Sequence, residues 1–269
     1  MSKSKKRPIP VFEHPIIETH CHLDYLKEHD LTTTVSMAQE KGVEKIITIA
    51  VSADNLATVM DIAINGPDCV YGTQGIHPHQ AAEFTPSVEQ TIRDNATHER
   101  ILAVGEIGLD FFYDHAERDV QLNAFRRQLQ IASELDLPVV IHSREADEDT
   151  IAILKEFESS LKRRGVIHSF TSGPELAQYA IDQGFYLGFN GICTFNKAEN
   201  VRDIIRMTPP ENIILETDSP FLTPIPYRGK ENAPCYIPFV AEKVAEVKDI
   251  SLADFLPIAY ANSQALFFR

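Results

Sequence analysis

The stretch 16-IIETHCHLDYL-26 begins as an apolar run and ends in two histidines that stand two positions apart. Successive side chains of a β-strand point to opposite faces, so we expect His20 and His22 to share one face and Cys21 to occupy the other. Two imidazoles in this pattern indicate either a pair of hydrogen-bonded core histidines or two ligands of one metal site. Cys21 is predicted to be a small buried apolar side chain and not a thiolate ligand.

Seven further apolar runs follow, and each is short and rich in Val and Ile, as is typical of buried parallel strands. The runs are 46-IITIAV-51, 70-VYGTQGIH-77, 101-ILAVGEIGLD-110, 138-PVVIHS-143, 165-GVIHSF-170, 185-FYLGFNG-191 and 212-NIILETD-218. Amphipathic, helix-like segments separate them, for example 31–42, 117–136 and 173–184. Eight strand–helix alternations predict an α/β fold, a (β/α)8 TIM barrel. A doubly wound open sheet is the alternative, but no GxGxxG follows the first run to support its dinucleotide-binding form.

The length of 269 residues is usual for one such barrel, and no linker or repeat indicates a second domain. The start, MSKSKKRPIP, is basic but is not followed by the apolar segment of a secretory signal. We expect residues 1–15 to form a flexible tail and residues 16–269 to form the barrel. The proline-rich stretch 219–236 is too long for a simple connection, and it is therefore a candidate active-site loop.

The composition is acidic, with 25 Lys and Arg against 39 Asp and Glu, which gives a formal net charge of −14. This charge argues against binding nucleic acid through a broad basic surface. A phosphate could still be bound at one focused site if metal ions supplied positive charge. The cysteines form no CxxC pair, and no apolar stretch approaches the roughly 18 residues of a membrane span. We therefore expect a cytoplasmic protein without membrane contact, and we favour a monomer.

Polar residues stand at the ends of most runs, where a TIM barrel carries its active site. They are His20, His22, His77, His79, Glu106, His142, His168 and Asp218. A polar group at the end of a buried strand is costly unless it is satisfied, so such a cluster needs a common partner. Imidazole and carboxylate groups are ligands of divalent transition ions, of which zinc is the leading example and Mn, Co and Fe are others. Four histidines and two carboxylates suffice for two ions, with Glu106 placed to bridge them.

These motifs together resemble the TatD-like metal-dependent deoxyribonucleases, a branch of the amidohydrolase-type TIM barrels. The matching stretches are 19-THCHLD-24, 75-GIHPH-79, 105-GEIGLDFF-112, 139-VVIHSREA-146, 168-HSFTSGPELA-177, 187-LGFNG-191, 215-LETDSPFLTP-224 and 227-YRGKEN-232. They follow the family order and cover nearly the whole chain from residue 16. Two positions depart from the pattern: Glu18 replaces a common Asp, and 168-HSFTSG replaces a common HCFSG.

The resemblance implies hydrolysis of phosphodiester bonds in DNA by a metal-activated water. One implied ion is held by His20, His22, Glu106 and Asp218. The other implied ion is held by Glu106, His142 and His168. Asp218 and Glu106 are thus the predicted catalytic residues, with Asp218 as general base. The family is usually described as magnesium-dependent, and its sites also take zinc, manganese or nickel.

Substrate contacts are predicted at six positions: His77, His79, Arg144, Tyr227, Arg228 and Lys230. A guanidinium suits a phosphate, but a salt bridge from Arg144 to Glu145 or Asp147 is equally consistent with the sequence. The residues in 227-YRGK-230 could follow a phosphate backbone or stack on a base, or they could form a solvated loop. Asp24 could orient a ligand or cap a helix.

Other functions would use the same ligand set. A hydrolase of amides, lactams or aminoacyl esters such as D-aminoacyl-tRNA would need the same two ions. The phosphotriesterase-like branch is disfavoured because it carries a carbamylated lysine on the fourth strand, where this chain has Glu106. A nucleotide-binding module without chemistry is disfavoured by the complete ligand set. DNA or another phosphodiester is therefore the predicted partner.

Overall fold

A computed structural model describes residues 6–113 and 115–268 and confirms the eight predicted strands, which lie parallel in chain order in one sheet. The strands are β1 (Ile16–Cys21), β2 (Val43–Thr48), β3 (Val70–Gln74), β4 (Ile101–Asp110), β5 (Val139–Arg144), β6 (Gly165–Ile167), β7 (Tyr186–Phe189) and β8 (Ile213–Leu215). The helices are α1 (Leu31–Gln39), α2 (Leu56–Asn65), α3 (Pro86–Asn95), α4 (Arg118–Leu135), α5 (Asp147–Glu156), α6 (Pro174–Asp182), α7 (Glu199–Met207), α8 (Ile237–Lys248) and α9 (Leu252–Phe267). The architecture is the predicted TIM barrel. Within the described ranges, a helix with the length and hydropathy of a membrane span is absent.

The first and last strands meet at a seam that closes the barrel. Cys21 and Ser219 form a parallel bridge just beyond β8. The backbone N–H of His22 donates to the carbonyl of Ser219 at 2.7 Å, and the N–H of Asp218 donates to the carbonyl of His20 at 2.9 Å. The seam therefore places the two histidines of the first motif beside Asp218.

The inside of the barrel is filled by a small apolar cluster that includes Ile47, Ile49, Val140, Val166 and Ile214. Residues two positions apart on a strand share a face. His142 follows Val140 by two positions, and His168 follows Val166 in the same way. Both imidazoles therefore project into the barrel above the cluster, at the carboxyl ends of the strands.

The larger apolar core lies between the strands and the helices, and Cys21 belongs to it. This side chain is fully buried, and its Sγ donates to the carbonyl of Ile47 at 3.5 Å. Burial raises the pKa of the Cys21 thiol well above its ordinary value. The prediction that strand alternation turns Cys21 into the apolar layer is confirmed.

The predicted tail, residues 1–15, is described from Lys6 onward, and residues 1–5 lie outside the described residues. Arg7 forms an ion pair with Glu242, and its backbone carbonyl accepts a hydrogen bond from the Tyr227 hydroxyl at 2.9 Å. Phe12 packs against the larger core. Residues 7–12 thus contact the barrel.

Glycine is required at position 108, where β4 passes beside β5. The φ angle of Gly108 is 134°, and a Cβ there would lie 2.0 Å from the carbonyl oxygen of His142. A side chain would therefore separate the two strands and displace His142. This close approach explains the second glycine of 105-GEIGLD-110.

Candidate active site

An open cavity of about 1250 Å³ lies at the carboxyl ends of the strands. The structure brings all the predicted metal ligands together at its floor. Those that line the cavity are His22, Glu106, His142, His168 and Asp218. His20 lies just beneath them and is only 1% exposed.

Glu106 is at the centre of this cluster. Its Oε1 lies 2.8 Å from Nε2 of His168, 3.2 Å from Nδ1 of His142 and 3.3 Å from Nε2 of His77. Its Oε2 lies 3.5 Å from Nε2 of His20. Burial raises the pKa of Glu106, but the imidazoles around it, His168 foremost, outweigh burial and hold that pKa well below its usual range. One ionised carboxylate therefore faces imidazoles on two sides.

Asp218 faces the same cluster from the seam. Its Oδ1 lies 3.5 Å from Nε2 of His22 and 3.7 Å from Nε2 of His20. Burial raises the pKa of Asp218, but the neighbouring imidazoles of His22 and His20 outweigh burial and lower that pKa. The residue has φ of 57°, in the left-handed region, and such backbone strain occurs mainly where the surrounding structure enforces it, often at functional sites.

Hydrogen bonds determine which ring nitrogen of His22 and His142 carries the proton. Nδ1 of His22 lies 3.3 Å from the carbonyl oxygen of Ile49, so it is the N–H donor and Nε2 keeps a lone pair toward Asp218. Nε2 of His142 lies 2.9 Å from Oδ2 of Asp110, so it is the donor and Nδ1 keeps a lone pair toward Glu106. Partners of this kind orient metal-binding histidines.

His77 differs from His22 and His142, because its ring N–H, and not its lone pair, faces the carboxylate of a predicted metal ligand. Its Nδ1 accepts the backbone N–H of His79 at 3.1 Å, so the proton of the neutral ring is on Nε2. That nitrogen faces Oε1 of Glu106 at 3.3 Å. Burial lowers the pKa of His77 to about 4, which keeps the ring neutral at pH 7. His77 therefore lies among potential ligands but presents an N–H to them instead of a lone pair.

The cluster has the features of a cation site. Both ring nitrogens of His20 are buried without a hydrogen-bond partner in the described part of the chain, although buried polar atoms are normally satisfied. Three groups of side chains place potential ligand atoms within 4.8 Å of one another: His20, His168 and Asp218; His20, His22 and Glu106; and His77, Glu106 and His142. Nitrogen and oxygen donors of this kind suit divalent transition ions. The residues therefore fit a divalent metal.

Two buried carboxylates that the sequence analysis did not single out support the imidazoles. Oδ2 of Asp110 accepts hydrogen bonds from His79 and His142, both at 2.9 Å. Oε1 of Glu216 lies 3.6 Å from Nδ1 of His168. A signal for both was present in the sequence, because Asp110 closes the fourth apolar run and Glu216 lies inside the eighth.

Replacing Asp110 with asparagine is expected to lower metal affinity and turnover by about 10–100-fold, as loss of a partner to a metal-binding histidine usually does. An amide NH₂ in place of Oδ2 cannot accept the N–H of His142, so the ring proton moves to Nδ1 and removes the lone pair that faces Glu106. Titration calorimetry with Mn²⁺ or Zn²⁺ measures the affinity. Asp119→Asn, on the exposed first turn of α4, is the control and should match the wild type.

The predicted substrate contacts divide into two groups. Those that line the cavity are His77, His79 and Arg144. The residues of 227-YRGK-230 lie outside that lining. The Tyr227 hydroxyl donates to the carbonyl of Arg7, and the guanidinium of Arg228 lies 3.8 Å from the ring centre of Phe195.

Asp24 accepts a hydrogen bond from Asn55 at the start of α2. Of the long loop after β8, Phe221 and Leu222 line the cavity.

An eight-stranded α/β barrel with imidazoles and carboxylates grouped at the carboxyl ends of its strands has the architecture of metal-dependent hydrolases. Comparison with known proteins then gives the family. The family model described as TatD related DNase matches residues 17–268. The chain belongs to this TatD family of metal-dependent hydrolases.

Known proteins match this chain over most of its length. YabD of Bacillus subtilis, named an uncharacterized metal-dependent hydrolase, is 35% identical over 253 residues, which cover 94% of this chain and 98% of YabD. The 3'-5' ssDNA/RNA exonuclease TatD of Erwinia tasmaniensis is 32% identical over 244 residues, which cover 88% of this chain and 93% of that protein. The crystal structure of YJJV, a TatD homolog from Escherichia coli K12, matches with a TM-score of 0.88 and 29% identity over 94% of this chain and 97% of YJJV.

Proposed function

We propose that this protein is a deoxyribonuclease that hydrolyses phosphodiester bonds in DNA with water as nucleophile and two divalent ions as cofactors. The convergence of imidazoles on both oxygens of the buried Glu106 carboxylate, at the floor of an open cavity, carries this proposal. The name of the Erwinia relative, a 3'-5' ssDNA/RNA exonuclease, supports a polynucleotide as substrate.

The two oxygens of Glu106 support an arrangement with two ions. On the Oε2 side, the proposed ligands are His20, His22 and Asp218. On the Oε1 side, they are His142 and His168. Glu106 would belong to both groups, because Oε2 faces His20 and Oε1 faces His168. The proposal covers Mg²⁺, Zn²⁺, Mn²⁺ and Ni²⁺, and the abundance of imidazole favours the transition ions over Mg²⁺.

Divalent ions in such a site stabilise negative charge on a phosphoryl oxygen and lower the pKa of water. The side chains of this protein position groups and transfer protons. Asp218, ionised and facing the cavity, accepts the proton of the attacking water at a carboxylate oxygen. His77 holds Glu106 in place by donating from Nε2 to Oε1.

The proposal includes a cytoplasmic location and a monomeric state. The free cysteines Cys21, Cys69, Cys193 and Cys235 fit a reducing compartment. It also places the hydrolase domain at residues 16–269, after a tail of residues 1–15.

The proposed activity is tested by incubating the purified protein with single-stranded DNA and Mg²⁺ or Mn²⁺ and measuring the release of nucleotides. We expect release that depends on the ion and stops with EDTA. A parallel panel of amides, lactams and aminoacyl esters tests the alternative hydrolase. Turnover confined to that second panel would overturn the nuclease proposal, and turnover that survives EDTA would overturn the metal-dependent mechanism.

The role of His77 as a donor leads to a separate prediction. His77→Ala should keep the metal content of the wild type but lose about tenfold in turnover, because a hydrogen bond to a charged group typically contributes about 1.5–3 kcal/mol. His77→Gln keeps an N–H near the position of Nε2 and should recover most of the rate. Elemental analysis of the purified variants measures the metal, with the exposed His29→Ala as control. Loss of one ion from both variants would instead identify His77 as a ligand.

A further inference from the structure

The mouth of the cavity carries exposed aromatic rings. Phe112 and Tyr113, which follow β4, are each 50% exposed, and Phe221, which follows β8, is 52% exposed. Other Phe and Tyr side chains in residues 6–113 and 115–268 are less exposed than these three. Tyr113 and Phe221 line the cavity. The ring centres of Phe112 and Tyr113 are 4.8 Å apart, and exposed apolar groups that gather in this way mark a binding surface.

Two arginines lie against rings at the same edge. The guanidinium of Arg144 is 4.3 Å from the ring centre of Phe112 and 4.9 Å from that of Tyr113. The guanidinium of Arg118 is 4.4 Å from the ring centre of Phe111. Both arginines line the cavity. In the part of the chain that the structure describes, neither guanidinium forms an ion pair or a hydrogen bond.

Other arginines in the described residues do have carboxylate partners. Arg93 pairs with Glu89 and Glu134, and Arg126 pairs with Glu156. In a chain with a net charge of −14, carboxylates are abundant, yet within residues 6–113 and 115–268 these two cations at the cavity have no ion-pair partner. A guanidinium that stacks on a ring keeps its N–H groups free for a phosphate, which it can bind through two hydrogen bonds.

The edge formed by the start of α5 has the opposite charge. Its side chains on the cavity are Glu145, Asp147, Glu148 and Asp149. The Asp147 carboxylate accepts the backbone N–H of Gly173 at 2.9 Å. Because like charges repel, a polyanion bound at the floor is expected to leave the cavity over the arginines and not over this acidic edge.

We propose that Arg118, Arg144, Phe112 and Tyr113 form a subsite for the nucleotide next to the scissile phosphate. The two guanidinium groups hold its phosphate, and an exposed ring stacks on its base. This inference rests on the proposed nuclease function and specifies the substrate further. A base can stack on a protein ring only when it is unpaired, so the subsite selects single-stranded polynucleotides. A phosphodiester without a neighbouring nucleotide does not use it.

The test compares oligo(dT) with bis(p-nitrophenyl) phosphate, which contains one phosphodiester and no neighbouring nucleotide. Arg118→Ala and Arg144→Ala should each lower kcat/KM on oligo(dT) by roughly tenfold, the usual range for a charged hydrogen bond. Turnover of bis(p-nitrophenyl) phosphate should fall much less, because this substrate has no neighbouring nucleotide for the subsite to hold. Tyr113→Ala should lower kcat/KM on oligo(dT) but not on an oligonucleotide with abasic positions at its end. Arg126→Ala, on the outer side of α4, is the matched control and should leave both substrates unaffected.

A binding measurement separates this inference from the nuclease proposal. The dissociation constant of fluorescent oligo(dT) is measured by anisotropy at several salt concentrations for wild type and for the double variant R118A/R144A. The slope of log K against log salt should fall in magnitude by about 0.7 for each phosphate that the variant no longer binds. An unchanged slope, or equal losses on both substrates, would overturn the subsite. If the wild type cleaves neither phosphodiester, the nuclease proposal fails, while the slope still decides whether the arginines bind phosphate.

Discussion

Glu106→Gln is expected to lower hydrolysis by at least about 10³-fold, because several kcal/mol of charge stabilisation are lost and each 1.4 kcal/mol is a factor of ten. The amide has nearly the same shape as the carboxylate but carries no negative charge. It also offers an NH₂ in place of one carboxylate oxygen, and these oxygens now face imidazole nitrogens at 2.8–3.3 Å (Oε1) and 3.5 Å (Oε2). The variant should therefore lose the group that both halves of the site share, without creating a cavity.

Thermal unfolding gives a second readout for Glu106→Gln. An ion at 100 times its dissociation constant stabilises a protein by about 2.7 kcal/mol. For a chain of this size, each kcal/mol of stabilisation raises Tm by roughly 2–4 °C. The wild type should show this shift on addition of Mn²⁺ or Zn²⁺, and the variant should show little of it. The control is Glu89→Gln, which removes a largely buried, ion-paired carboxylate outside the cavity and should keep both the shift and the activity. A metal-induced shift of wild-type size in Glu106→Gln would show that the carboxylate is not a shared ligand.

Asp218→Asn is expected to lower kcat by about 10²–10⁴-fold, the range that general acid–base catalysis contributes. Asparagine tolerates the left-handed backbone conformation that Asp218 adopts, so the seam between β1 and β8 should survive the change. The amide can neither accept the proton of the attacking water nor provide a negative charge beside His20 and His22. The loss should therefore appear in kcat and in metal affinity, with the fold intact.

Asp249→Asn is the matched control for Asp218→Asn. Asp249 also has a left-handed φ, of 54°, but it follows α8, away from the cavity. Asp249→Asn makes the same chemical change on a left-handed backbone outside the site. Comparing the two variants therefore isolates the effect of the charge at the site. Steady-state kinetics and circular dichroism of the two variants are the measurements. If Asp218→Asn keeps more than about a tenth of wild-type kcat, the assignment of Asp218 as general base is wrong.

The architecture could be predicted from the sequence because buried parallel strands are nearly continuous apolar runs. Boundaries were less accurate where polar residues interrupt the pattern. The second strand begins at Val43, three residues before the predicted run, because Glu44 and Lys45 are polar positions at the start of the strand that stay partly in solvent.

Two strands that lead into site residues are shorter than their apolar runs. β6 and β8 have three residues each, whereas the runs were 165–170 and 212–218. The chain leaves the ladder before Ser169 and Asp218, which both have positive φ. Hydrophobicity continues past these points, but the backbone turns to aim the side chains into the cavity.

Most of the proposed ligands could be identified in the sequence because they stand at or just beyond the ends of strands. Glu106 lies within β4, and the structure brings all of them together. The supporting residues were harder to identify, because their roles depend on partners from other strands. Asp110 matters through His142, which is 2.9 Å away in space but distant in the chain. The donor role of His77 depends on a single backbone N–H, that of His79, which no residue pattern reveals.

The seam between the first and last strands has a consequence for biosynthesis. Ribosomes extend the chain from the amino terminus, and His20 and His22 emerge long before Asp218. Since Asp218 and the hydrogen bonds that place it against the first strand come from the segment just after the last strand, a nascent chain lacks a complete site until most of the barrel has been made. We therefore expect ribosome-bound intermediates and carboxyl-terminal truncations that end before residue 218 to be inactive.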